Sequence, residues 1–128
     1  MDVKCLNLWN RWMLSEENNP VVVECKRRLS EYTKDDWKIM SKEATDMTQM
    51  LGELIRYNIP VDSHLATLAF YEYVEHFNKW FLKVDKEFLI KTAYYAKFEK
   101  DFGAFFDQFY PGLGIYLFDL IMFNVRKI

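Results

Sequence analysis

The sequence is poor in the groups that catalysis and metal binding draw on. It holds two histidines and two cysteines in 128 residues. These are scattered rather than set at ligand spacing, which argues against a metal centre. Cys5 and Cys25 form no C-x-x-C pair, and the start M-D-V-K-C-L is acidic and amphipathic rather than basic then apolar. No secretory signal is read there, and reduced thiols in a cytoplasmic protein are expected. There is no nucleophile elbow, no glycine-rich phosphate loop and no H-E-x-x-H. Positive charge is not in surplus either. A net charge of −2 and a pI of about 5.7 lack the basic footprint of a nucleic-acid binder. The apolar stretch after Pro111-Gly112 is shorter than the about 20 residues that cross a bilayer, and Asp119 and Asn124 interrupt it. No cofactor, no metal, no membrane, no direct nucleic-acid contact and no catalysis are therefore expected. His76, beside Glu72 and Glu75 on its own helix, is the best single general-base candidate. The plainer reading makes it a partly exposed histidine on a helix flank.

What the chain does hold is rings. Aromatics make up 18% of it, within a hydrophobic content of 51%. A small core needs fewer. Either the core is unusually rich in rings, or some of them line a pocket, since binding sites are mostly apolar and aromatic with few polar anchors.

Periodicity makes the fold all-α, a single domain of about five to seven helices. Val3 to Leu14 reads as a short amphipathic helix carrying Trp9 and Trp12. After S-E-E-N-N, Asn19 caps and Pro20 opens the next helix. Thr33 with Asp35 and Asp36 is a variant of the capping box. It starts a long helix to about Tyr57, with Trp37, Met40, Ala44, Met47, Leu51 and Leu54 as its apolar seam. Asn58-Ile59-Pro60 closes that helix, because the residue before proline avoids the helical region. Ser63 caps a helix from His64 to about Lys83, with Glu75 and Lys79 in favourable i,i+4 order. Asp85 caps another, to Phe98, and a short segment from Phe102 to Phe109 follows. Pro111 is expected in the first turn of the last helix. That helix, apolar on most of its circumference, is expected to sit at the centre. Two ring-rich helices stand next to each other in sequence. One carries Phe70, Tyr73, Phe77, Trp80 and Phe81, the other Phe88, Tyr94, Tyr95 and Phe98. A cleft between them would suit a large flat or macrocyclic ligand; equally, the rings would fill a core.

Three stretches, in order and at matching spacing, resemble the drug-recognition domain of TipA-type regulators. They are Ser30 to Trp37 (S-E-Y-T-K-D-D-W), Pro60-Val61-Asp62-Ser63, and F-x-x-x-F-D-x-x-x-P-G-L-x-x-Y-L from Phe102 to Leu117. That family, the TipAS domain, also occurs in Mta-like MerR activators and albicidin-binding proteins. It typically shows Y-T-K-E-D-W, P-x-D-S and R-F-x-x-x-Y-D-x-x-x-P-G-L-A-x-Y-L. The resemblance covers most of the chain from about Trp12. It implies a globin-like fold whose cleft takes thiopeptide antibiotics and other bulky apolar drugs. It also implies a mobile N-terminal segment, residues 1–32, that orders over ligand on a core of residues 33–128. Lys91 falls where the thiopeptide-capturing domain has its reactive cysteine, so binding without covalent capture is implied. The ligand-binding residues expected are Trp9, Trp12, Tyr73, His76, Phe77, Trp80, Phe81, Phe88, Lys91, Tyr94, Tyr95 and Phe98. The partner would be a hydrophobic small molecule or peptide antibiotic. The alternative is a protein-interaction module that forms a homodimer or docks a DNA-binding partner.

Overall fold

A computed structural model describes residues 18–128. The helix expected over Val3 to Leu14, with Cys5, Trp9 and Trp12, lies outside them. The described residues form an all-α, globin-like bundle without strands. Its helices are α1 (Pro20–Glu31), α2 (Lys34–Arg56), α3 (His64–Trp80), α4 (Lys86–Phe98), α5 (Lys100–Phe109) and α6 (Leu113–Val125).

The starts are built from side chains that take backbone N–H groups left without a helical partner. Asn19 accepts from the Val21 N–H, and Pro20 occupies the first turn. Thr33 accepts from the Asp36 N–H while Asp36 accepts from the Thr33 N–H, a reciprocal capping box. Ser63, Asp85 and Glu99 cap α3, α4 and α5 in the same way.

One boundary falls where expected, near Tyr57, but closes by its own device, and two others differ from expectation, each for a local reason. Asn58 takes a left-handed φ of 55° at the end of α2. Its N–H donates to the Ile55 carbonyl at 3.0 Å, and the Ile59 N–H donates to the Leu54 carbonyl at 2.8 Å. This is a Schellman closure, so Asn58 ends the helix before the restriction from Pro60 acts. Helix α3 stops at Trp80 rather than Lys83. The N–H groups of Phe81 and Leu82 both reach back to the Phe77 carbonyl, and Asn78 Oδ1 accepts the Val84 N–H at 2.7 Å. The chain thereby folds Phe81 and Leu82 into the core instead of continuing the helix. Pro111 lies outside α6. The Leu113 N–H donates to the Tyr110 carbonyl at 3.0 Å, and Gly112 has a φ of 87°. That is a type II turn, with proline and glycine at the two central positions that suit them.

Helix α6 is the centre. It packs against α2, α3, α4 and α5, most extensively α4. Leu113, Leu117, Leu120 and Ile121 are fully buried, each contributing about 1.5–3 kcal/mol of transfer free energy. Gly114 lets α6 approach α4: a Cβ there would stand 2.5 Å from the Ala96 carbonyl oxygen. The Tyr116 hydroxyl donates to the Ile59 carbonyl at 2.8 Å and fixes the α2–α3 turn. Helix α1 is the least embedded. Val22 and Cys25 bury its inner side. At its far end Arg28 Nη1 donates to the Asn78 carbonyl at 2.6 Å, and the Tyr32 hydroxyl donates to the Trp80 carbonyl.

Candidate functional site

The rings of α3 and α4 fall into separate groups. Tyr73, Phe77, Phe81 and Phe88 interlock in the core. Their centroids lie 4.8 Å apart for Tyr73–Phe77, 5.2 Å for Phe77–Phe81 and 5.5 Å for Phe77–Phe88. Such pairs contribute about 0.5–1.5 kcal/mol each beyond their burial. Val22 and Cys25 of α1 belong to the same buried cluster. Tyr32, just past α1, meets Trp80 edge-on at 5.4 Å. A small cavity of about 30 Å³ opens where α1 and α4 begin; Phe88 and Lys91 line it with Asn19, Val21, Asp85 and Glu87. Tyr94 and Phe98 belong to a different face of α4. They stack at 5.5 Å and meet Phe118 of α6 edge-on, while remaining 48% and 63% exposed. Tyr95 is half-buried against Phe102 at 5.6 Å. Trp9 and Trp12 lie outside the described residues.

The structure corrects the flank position of His76. The side chain is buried, 8% exposed, with its ring edge-on to Phe77 and close to Phe81. It faces a residue that sequence reasoning missed, Glu43 of α2. Glu43 Oε1 accepts from Lys79 Nζ at 2.8 Å, Oε2 accepts from the Trp80 indole N–H, and Oε2 stands 3.6 Å from His76 Nδ1. Lys79 thus reaches across to α2 rather than pairing with Glu75 one turn back. The one available signal was position: Glu43 precedes Ala44 of the apolar seam, so it flanks the side of α2 that turns to a neighbour.

Glu43, His76 and Lys79 line a cavity of about 340 Å³ between α2 and α3, with Asp46, Met47, Glu72 and Glu75 completing it. Burial pushes the His76 imidazole below its ordinary pKa, against the pull of Glu43. The hydrogen bond from Lys79 holds the Glu43 carboxyl below its ordinary value, helped by Trp80 and opposed by partial burial. His76 and Glu43 stand beyond hydrogen-bond distance, and the lining offers no serine, threonine or cysteine. Cys25 is buried, and burial raises its thiol to a pKa of about 11. Among the described residues, no set of three or more His, Cys, Asp and Glu side chains is placed to hold a metal ion. None of the described helices is long and apolar enough to cross a membrane.

The family model described as the TipAS antibiotic-recognition domain matches residues 10–124. No curated protein and no solved structure matches the chain.

Proposed function

Because the chain belongs to the TipAS antibiotic-recognition domain family, we propose that it binds a bulky hydrophobic antibiotic or drug, thiopeptide-like in size, without covalent capture and without catalysis. The family match carries this reading. The ring cluster Tyr73–Phe77–Phe81–Phe88 supports it, because it is a large apolar surface in the same buried cluster as Val22 and Cys25 of α1, and Phe88 shares a cavity with Val21. Drug-sized ligands need roughly 300 Å³ or more, and the cavity beside Phe88 and Lys91 has about 30 Å³. A bulky ligand therefore enters only if α1 gives way. The hydrogen bonds from Arg28 and Tyr32 that hold α1 contribute about 1 kcal/mol each. Residues 1–32 act in this reading as a roof over a core of residues 33–128, with Trp9, Trp12 and Trp80 near the ligand and Lys91 at its edge. His76 borders the same rings. Lysine in place of a reactive cysteine supplies no thiolate for addition to a dehydroalanine. The protein would work in the cytoplasm, as the effector-sensing part of a transcriptional regulator or as a stand-alone sequestering protein.

Tryptophan fluorescence tests the reading, in titrations with a panel of thiopeptides and other hydrophobic antibiotics. A saturable shift or quench at tens of micromolar or below is expected. No change with any of them removes the proposal.

A second reading, a protein-interaction module, is favoured by the exposed rings of Tyr94 and Phe98 against Phe118. Light scattering over a concentration series separates the two, since a concentration-independent monomer counts against self-association.

A further inference from the structure

We propose that the exposed ring face of α4 and α6 is where a second copy of this chain docks, in a two-fold symmetric pair. Tyr94, Lys97 and Phe98 share one side of α4 at spacings of three and four, and all three are exposed. Ile115, Phe118, Asp119 and Met122 share one stripe of α6 at the same spacings. Ile115 and Asp119 are exposed, with Phe118 and Met122 half-buried between them. Phe118 joins the two helices into one surface, edge-on to Tyr94 at 5.4 Å and to Phe98 at 5.8 Å. Lys97 Nζ lies over that surface, 4.4 Å from the Phe118 centroid and 5.3 Å from that of Phe98. None of these residues lines either cavity described above. An open face of this kind suits a broad partner better than an enclosed small molecule.

The charges on the face select the occupant. Neither Lys97 nor Asp119 has an ion-pair partner among the described residues. An acidic partner would press on Asp119, and a basic one on Lys97. A second copy, turned about a two-fold axis near Phe118, brings the Lys97 of each chain to the Asp119 of the other, because an isologous contact repeats every pairing twice. The extent of the face sets the strength. Tyr94 and Phe98 are 48% and 63% exposed, which at 150–250 Å² per ring leaves about 200 Å² of ring in water. With Ile115, Phe118 and Met122 around them, the face stays below the roughly 800 Å² per partner of a stable complex. The pair is therefore weak and reversible. This inference rests on the protein-interaction reading above and is independent of drug binding.

Sedimentation velocity on the full chain, from about 10 μM to about 1 mM, spans the range in which weak pairs form. The unmodified chain should pass from monomer to dimer across it. Lys97→Glu and Asp119→Lys should each weaken the pair by about tenfold or more, because one substitution sets like charges together at both symmetry-related contacts. An equimolar mixture of the two variants should dimerise again, since each then offers the charge that the other lacks. Phe98→Ser, which removes a ring and keeps both charges, should leave a monomer throughout. All three positions are exposed, and circular dichroism verifies that each variant is folded. A monomer of the unmodified chain at every concentration overturns the proposal and self-association with it. A dimer that survives Phe98→Ser or the charge variants, or a mixture no better than its components, overturns the two-fold contact alone and leaves the interaction reading in place.

Discussion

Replacing Gly114 with alanine should destabilise the domain more than the same change at either of two other glycines. The Cβ of an alanine at position 114 would lie 2.5 Å from the Ala96 carbonyl oxygen, half an ångström inside the closest approach that Cβ atoms make. The obstacle is backbone on α4, so no side chain can swing away. Helices α4 and α6 would have to separate along the most extensive contact in the fold. Forced methylene-scale overpacking costs about 1–3 kcal/mol. The gain in the unfolded state from losing a glycine is about 0.4–1 kcal/mol. The net loss should be about 1–2 kcal/mol, or roughly 4–8 °C in Tm at this chain length. Gly112→Ala meets nothing within 4 Å but must hold a φ of 87°, at a cost of about 1 kcal/mol. Gly52→Ala meets only Tyr110, at 3.3 Å and through a movable ring, inside the long helix α2. There helix propensity favours alanine by about 1 kcal/mol and offsets the contact. Thermal melts by circular dichroism should rank the variants, from least to most stable, as Gly114→Ala, Gly112→Ala, Gly52→Ala. A Gly114→Ala protein melting at or above the parent temperature would refute the close approach of α4 and α6.

Acid should weaken the fold in stages. His76 has a folded pKa below its ordinary 6.5 because burial disfavours the cation. As pH falls below 6.5, the unfolded chain takes up this proton first, and stability drops toward the folded pKa. Glu43, held below its ordinary 4.5 chiefly by Lys79, adds stability above 4.5 that is lost as pH falls through its folded value. Melts from pH 4 to 8 should show His76→Gln flattening the decline that sets in below pH 6.5 but not the one that Glu43 adds below 4.5; identical profiles would contradict the burial of His76. Cys25, with its thiol raised to about 11 from 9.0, carries about a hundredfold less thiolate in the folded protein at pH 8. In a Cys5→Ser background, iodoacetamide should label it at least that much more slowly than in urea. A ligand held under α1 should slow labelling further, and a rate near the unfolded one would mean that α1 is not docked.

The caps and the central helix were legible because they rest on neighbours in sequence. Asn19-Pro20, Thr33 with Asp36, Ser63 and Asp85 each satisfy backbone groups within three residues. The apolar girth of Leu113 to Val125 announced its own burial. What stayed hidden depends on partners far along the chain or on a single dihedral. Glu43 meets residues 33 to 37 positions away, and its spacing on α2 resembles that of any surface glutamate. The burial of His76 follows from how α2 crosses α3, which periodicity does not encode. Asn58 ends α2 through one left-handed residue, while Pro60 was the louder signal. The rings were legible as a surplus. Their division between the core around Phe77 and the exposed face around Phe98 depends on where α6 lies against α4, and no pattern within α4 specifies that.

The placement of α6 also constrains the order in which the protein can take shape as it is made. Helices α1 to α5 leave the ribosome before α6, yet α6 supplies the surface that α2, α3, α4 and α5 share. At synthesis rates of about 5–20 residues per second, the rings of Phe70, Phe77 and Phe88 wait seconds for the helix that covers their neighbourhood. A chain arrested before Pro111 should behave as a sticky, chaperone-binding intermediate, and release of the few turns from Leu113 to Val125 should convert it into a folded domain. The helix that least resembles a binding element thus decides when this domain becomes able to bind at all.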